Sequence, residues 1–248
     1  MISPFFGDNK AGRKDAFSIL LDLPDGFEHL SGPVEPPESL KKPQYVIKGE
    51  VDNNGKYDLK MRLKGQADFR SMRGEFTFKE EHKPSCGPFQ IELRVWDRDR
   101  ESLDKLPKLY GSTIKNVRDD LDQAAGINVY RDEFRVLPYG GPKNDWLRLD
   151  LRSRLTPTLR LANNQIVGYV LISADRNPEL KDQSNREGLM EGPALDDLRE
   201  LIKMVLAALE SARYGERHPD GAKTKRKDGL FLERGRPKKF KTFLSITI

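Results

Sequence analysis

The stretch of this chain best equipped for chemistry is Asn177-Pro178-Glu179-Leu180-Lys181-Asp182-Gln183-Ser184-Asn185-Arg186-Glu187-Gly188-Leu189. It sets the guanidinium of Arg186 among amides and carboxylates. A guanidinium is permanently charged and planar, and its fork of donors fits two oxygens of a phosphate. Spacing alone leaves two readings of Arg186: a phosphate ligand, or a surface arginine paired with Glu187 or Glu191. The flanking elements decide how it is presented. Before the loop, Ile166–Ile172 is apolar, rich in β-branched residues and hardly alternates, which predicts a central strand buried on both faces. After it, Pro193 opens a segment with Leu195, Leu198, Ile202, Val205, Leu209 and Ala212 at helical spacing. That stripe predicts an amphipathic helix with Asp196, Asp197, Glu200 and Lys203 turned to solvent. The loop from Asn177 to Glu191 is then expected to be exposed between strand and helix.

This strand–loop–helix resembles the transducer loop of the GHKL ATPase superfamily, which includes DNA gyrase B, MutL, MORC proteins and heat-shock chaperones. In gyrase-like members a Gln-Thr-Lys motif in this loop carries a lysine to the γ-phosphate of ATP, and Gln183-Ser184-Asn185-Arg186 occupies that place here. In the heat-shock chaperones the matching motif ends in Ser-Arg-Glu after an asparagine, and Asn185-Arg186-Glu187 is similar to its end. The run from Tyr130-Arg131-Asp132 to Leu189 also resembles bacterial ATP-binding proteins of this architecture. The resemblance covers residues 87 to 214 well and 15 to 65 loosely. It implies that Arg186 meets the γ-phosphate, that Gln183 orients the attacking water or holds the lid, and that Ser184 and Asn185 shape the loop.

The same resemblance implies an absence. GHKL enzymes bind ATP through an acid-plus-asparagine helix, an Asp-x-Gly-x-Gly loop and a glycine-rich lid, and none of these is found in the sequence. ATP and Mg²⁺ are therefore expected only in the context of a separate or missing ATP-binding domain, with none bound by this chain alone. The implied partners are that GHKL domain, a second copy in a homodimer, and DNA.

Bulk composition narrows the classes. At 36% hydrophobic and 33% charged, the 248-residue chain is polar but can still bury a core. A net charge of +5 does not make the whole chain an obvious nucleic-acid binder. The excess is concentrated after Lys223, where Lys225-Arg226-Lys227 and Arg234 to Lys239 either attract phosphates or form a solvated end. A single cysteine, Cys86, excludes an internal disulfide and suits a reducing compartment. No apolar run approaches bilayer length and no basic-then-apolar leader begins the chain, so a cytoplasmic location without membrane contact is expected.

Upstream of the loop, Phe17–Leu23 reads as a strand, and Ser31 to Pro37 as a proline-rich crossover. Tyr45–Val51 and Tyr57–Leu63 alternate on either side of Asn54-Gly55, a strong hairpin signal. Gly74–Phe78 and Phe89–Trp96 continue the alternation, as in an antiparallel sheet covered on one side. From Glu101 onward Leu103, Leu106, Tyr110, Ile114, Val117, Leu121 and Ala124 keep helical spacing. Pro107 and Gly111 divide the run, Ser112 or Thr113 caps the second helix, and Gly126 ends it. Ile127–Tyr130 and Phe134–Leu137 form a hairpin across Arg131-Asp132-Glu133. Its turn type is left open by Glu133, since a residue with a Cβ resists positive φ. Leu147–Leu151 reads as a short strand.

Other chemistry is thin. His29, His82 and His218 stand alone rather than at metal-ligand spacing, so no metal site is expected. Asn163, Asn164 and Gln165 either serve the site or satisfy backbone groups where the chain enters the last strand. The expected fold is α+β: a mixed β-sheet covered by helices on one face, like the transducer fold of ribosomal protein S-five domain two. The expected parts are a mainly β lead-in over 1–80 from the edge of an ATP-binding domain, a transducer domain over 87–214, and a basic, disordered tail over 215–248. The alternatives are a nucleic-acid-binding module using the basic tail, and a purely structural interaction domain.

Overall fold

The structure, a computed structural model, describes residues 20–27, 31–33, 37–78, 82–111, 113–141, 143–183 and 187–218. Residues 17–19 of the first expected strand, Ser184, Asn185 and Arg186, and the basic stretch after Lys223 lie outside these residues. Among the described residues no helix is long and apolar enough to cross a membrane.

In chain order the elements begin with β1 (Leu20–Leu21), β2 (Gly32–Pro33) and α1 (Glu38–Lys41). Three strands follow, β3 (Tyr45–Val51), β4 (Lys56–Arg62) and β5 (Arg70–Glu75), then β6 (Phe89–Val95). Helices α2 (Arg100–Tyr110) and α3 (Ile114–Ala124) lead to β7 (Gly126–Arg131), β8 (Phe134–Val136) and α4 (Leu149–Leu155). A 3-10 turn at Asn163–Gln165 precedes β9 (Ile166–Ile172), and α5 (Pro193–Arg217) closes the described chain. The fold is α+β with one mixed seven-stranded sheet in the order β5-β4-β3-β6-β9-β7-β8. All its pairings are antiparallel except β7 with β9. β3 pairs β6 along its whole length, so residues 45–75 and 89–172 share one sheet and one core across the interval near residue 80.

Local signals explain many boundaries. Asp52 accepts from the backbone N–H of Asn54 and Lys56 at 2.8 and 2.9 Å, and Gly55 takes φ +81° to turn β3 into β4. Thr113 caps α3 by accepting from the N–H of Asn116 at 3.1 Å. Pro107 lies inside α2, and the break falls at Gly111. The β7–β8 turn places both Asp132 (φ 48°) and Glu133 (φ 74°) in the left-handed region, as a two-residue hairpin turn matching strand twist requires. One sequence expectation fails here: Leu147–Leu151 is not a strand. The Asp145 carboxylate accepts from the N–H of Leu149 at 2.7 Å and of Asp150 at 2.8 Å, and these bonds start α4.

The helices are shared between two faces rather than gathered on one. Successive side chains of a strand point to opposite faces. Ile166, Val170 and Ile172 join the large core under α5, while Val167 joins Leu40, Trp96, Leu103, Val117 and Leu121 from the α1–α3 side. This is why β9 hardly alternates in sequence: it is apolar on both faces because both are covered. Leu195, Leu198, Leu201, Ile202, Val205, Leu206 and Leu209 of α5 are all fully buried.

Candidate functional site

The loop after β9 is built from its ends inward. Asn177 opens it, buried, with its amide nitrogen donating to the carbonyls of Cys86 at 2.6 Å and Pro88 at 2.9 Å. Its Oδ1 accepts from the N–H of Ser173 at 2.9 Å, so the loop start is tied to the entry of β6. Asp182 and Leu189 then pair as an antiparallel bridge, closing a neck around residues 183–188. The Gln183 N–H donates to the Gly188 carbonyl at 2.9 Å, and its Nε2 donates to the Leu189 carbonyl at 3.1 Å. Gln183 therefore holds the neck shut. The loop is exposed, as expected, at Pro178, Glu179, Lys181, Asp182, Glu187, Met190 and Glu191, but Asn177, Leu180, Gly188 and Leu189 are buried where the neck packs against the sheet end.

Two residues outside the loop fix that neck, and the sequence reading assigned neither to it. Arg131, at the end of β7, contacts the Asp182 carboxylate at 2.6 Å, and its Nη2 donates to the Leu180 carbonyl. It reaches the loop because β7 runs parallel beside β9, which puts Arg131 level with Ile172. Tyr139 accepts from the N–H of Leu189 at 3.0 Å, and burial pushes its hydroxyl up. Gly188, at φ +117°, lets the chain pass the Tyr139 hydroxyl; a Cβ there would lie 3.3 Å from that oxygen. Glu191, one of the two acids the sequence offered to Arg186, is held by both nitrogens of Arg199 at 2.5 and 2.7 Å. Arg186, Ser184 and Asn185 belong to the segment outside the described residues, between two anchored sides of the neck.

The helix that leaves the loop is locked by buried charge at three points. Asp197, expected on the outward face, is 7% exposed and accepts from the Ser85 N–H at 2.8 Å and hydroxyl at 2.7 Å, with His82 Nε2 at 2.7 Å. Glu210, completely buried, contacts Arg160 at 2.6 Å and Arg152 at 3.1 Å and accepts from the Leu161 N–H at 2.9 Å. Arg213 contacts buried Asp97 at 2.5 Å, and the same carboxylate takes Arg217 at 3.0 Å and the Tyr45 hydroxyl at 3.1 Å. Charge can be buried at such depth only when paired and hydrogen-bonded, and each of these carboxylates is.

Burial alone would raise Asp197, but the Ser85 and His82 hydrogen bonds outweigh it and hold the carboxyl below its usual range. A depressed carboxyl contributes stability that is fully present above its unfolded value of about 3.9 and is lost as pH falls through the folded value. Asp197→Asn is therefore expected to cost about 1–3 kcal/mol at pH 7 in chemical denaturation. The gap between variant and wild type should close below about pH 4. A gap that stays constant across that range would show that the charge of Asp197 is not what holds this end of α5.

Of the remaining candidates, Asn163 and Gln165 take part in local hydrogen bonds. Asn163 is buried and its N–H donates to Asp150 at 2.9 Å, while Gln165 Oε1 accepts from the Ala162 N–H at 3.0 Å. Asn164 sits between them in the 3-10 turn. Cys86 is buried, and desolvation pushes its thiol up to about 12, far from a nucleophile's range. No family model matches the chain, and no curated protein or solved structure shows significant similarity to it.

Proposed function

We propose that this chain is the transducer part of a GHKL-type ATPase. Arg186 senses the γ-phosphate of ATP held in a separate N-terminal domain, and the chain relays that state to whatever is attached to it. One observation supports the reading above others. The segment carrying Arg186 springs from a neck clamped by Arg131, Gln183 and Tyr139, and continues into a helix locked by Asp197, Glu210 and Arg213. A displacement imposed on Arg186 is then passed to α5 rather than absorbed by a slack loop. Gln183 acts by holding the neck, while Ser184 and Asn185 shape the segment that presents the guanidinium.

In this reading the partner is the GHKL ATP-binding domain, which holds ATP and Mg²⁺, and a homodimer acting on DNA in the cytoplasm is its working form. The chain by itself binds no nucleotide tightly. The test uses the assembled ATPase. Arg186→Ala is expected to leave ATP affinity within about twofold while lowering turnover by about 10² to 10³-fold, the scale for losing one transition-state donor. Arg186→Lys should recover only part, because a point charge does not reproduce the fork. Unchanged turnover per folded molecule in Arg186→Ala would overturn the proposal. So would calorimetry showing submillimolar ATP binding by this chain alone.

A further inference from the structure

We infer that a second region, remote in sequence from the loop, binds the backbone of single-stranded nucleic acid: the basic cleft between the end of α1, the β4–β5 loop and α2. The cleft has a volume of about 420 Å³ and is lined by Lys41, Lys42, Arg62, Lys64 and Lys105, with no carboxylate in its lining. Among the described residues, the carboxylates within ion-pair distance of the lining lysines are weakly held or already committed. Lys41 and Lys105 pair with Glu38 and Glu101 on their own helices at 2.7 Å, exposed contacts of little energy that a phosphate can replace. Lys64 lies 3.6 Å from Asp97, a carboxylate that Arg213 and Arg217 already neutralise. Arg62 Nε is buried with no hydrogen-bond partner among the described residues.

The charge does not stop at the cleft. Arg62 and Lys60 lie on one face of β4, two residues and hence about 6.6 Å apart, a spacing suited to successive phosphates of an extended strand. Lys60 stands directly opposite Lys48 of β3. Like charges facing each other across a sheet are unfavourable. Glu92, the other cross-strand neighbour of Lys48, is occupied by Arg94 at 2.6 Å and Tyr169 at 2.9 Å. A phosphate between Lys48 and Lys60 would relieve the repulsion. The strip ends where Glu50 faces Asp58, which itself pairs with Arg73. Beside it Phe69 is 37% exposed, with Lys48 Nζ 4.9 Å and the Arg62 guanidinium 5.5 Å from its ring centre. An exposed aromatic ring among backbone-binding cations is the arrangement that holds unpaired bases, since stacking needs a free base face. A small anion would fill the cleft and leave the strip and the ring unused.

The inference stands apart from the transducer reading and from the basic residues after Lys223, so its test keeps the full chain and changes only the cleft. Fluorescence anisotropy with a labelled oligothymidylate of about 15 nucleotides, in salt from about 50 to 200 mM, reads affinity and its salt slope. The Lys42→Ala/Arg62→Ala double variant is expected to bind at least about tenfold more weakly. Its slope should fall by about 1.4, two contacts at about 0.7 each. Phe69→Ala should weaken binding at least about fivefold and leave the slope unchanged. If Arg62→Ala impairs folding, Lys42→Ala/Lys60→Ala, both exposed, gives the same reading. Wild-type affinity and slope in the double variant would overturn the inference, as would failure of the wild-type chain to bind the oligonucleotide at low salt. A duplex binding as tightly as the single strand, with Phe69→Ala silent, would overturn it too.

Discussion

Val205→Asp is expected to leave the chain without a cooperative unfolding transition. Val205 is fully buried at the middle of α5, within the core formed with Ile47, Leu93 and Val170. An ionised carboxylate there would have no partner, and the effective penalty for an unpaired buried ion is several kcal/mol. The lost apolar contacts add to that. Domains of this size are stable by only about 5–15 kcal/mol, so the substitution consumes much or all of the margin. Circular dichroism melts and dispersion in a proton–nitrogen spectrum check it. A soluble variant with a sharp wild-type transition would show that α5 does not pack as described.

Glu210→Ala is the second large effect, expected at about 3–5 kcal/mol. The carboxylate is inaccessible to solvent and serves Arg152, Arg160 and the Leu161 N–H together. Its removal strands two guanidinium groups and one backbone donor beside α5, and a stranded charge costs more than the contact itself contributed. Chemical denaturation should show a lower midpoint with little change in slope. Replacing Arg152 and Glu210 together by Met should recover part of the loss, because an apolar pair of similar volume carries no desolvation penalty. A single-variant cost under about 1 kcal/mol would mean that water reaches this cluster and that α5 is held by its apolar face alone.

These results bear on function through α5. In the proposed relay, the segment around Arg186 can move the helix only if the helix responds as a body. Loosening the Glu210 cluster should therefore reduce coupling in the assembled ATPase without touching nucleotide contacts.

What the sequence determined by itself was local. The Asn54-Gly55 turn, the Thr113 cap, the unbroken apolar run of β9 and the helical stripe of α5 all follow from relations within a few residues, where backbone geometry repeats. That reach also set its failures. Leu147, Leu149 and Leu151 alternate like a strand, but Asp145 accepts from the N–H of Leu149 and Asp150 and starts α4 at Leu149 instead. Asp197 sits among charged neighbours like a solvated face, yet Ser85 and His82 arrive from far upstream to bury it. Only the tertiary structure decided the rest. Arg131 meets Asp182 across 51 residues, Arg213 meets Asp97 across 116, and Leu161 meets Glu210 across 49. Such pairings carry no periodicity, because strand order rather than sequence distance brings the partners together. The placement of β9 between β6 and β7 makes Arg131 a neighbour of the loop and divides the helices between two faces.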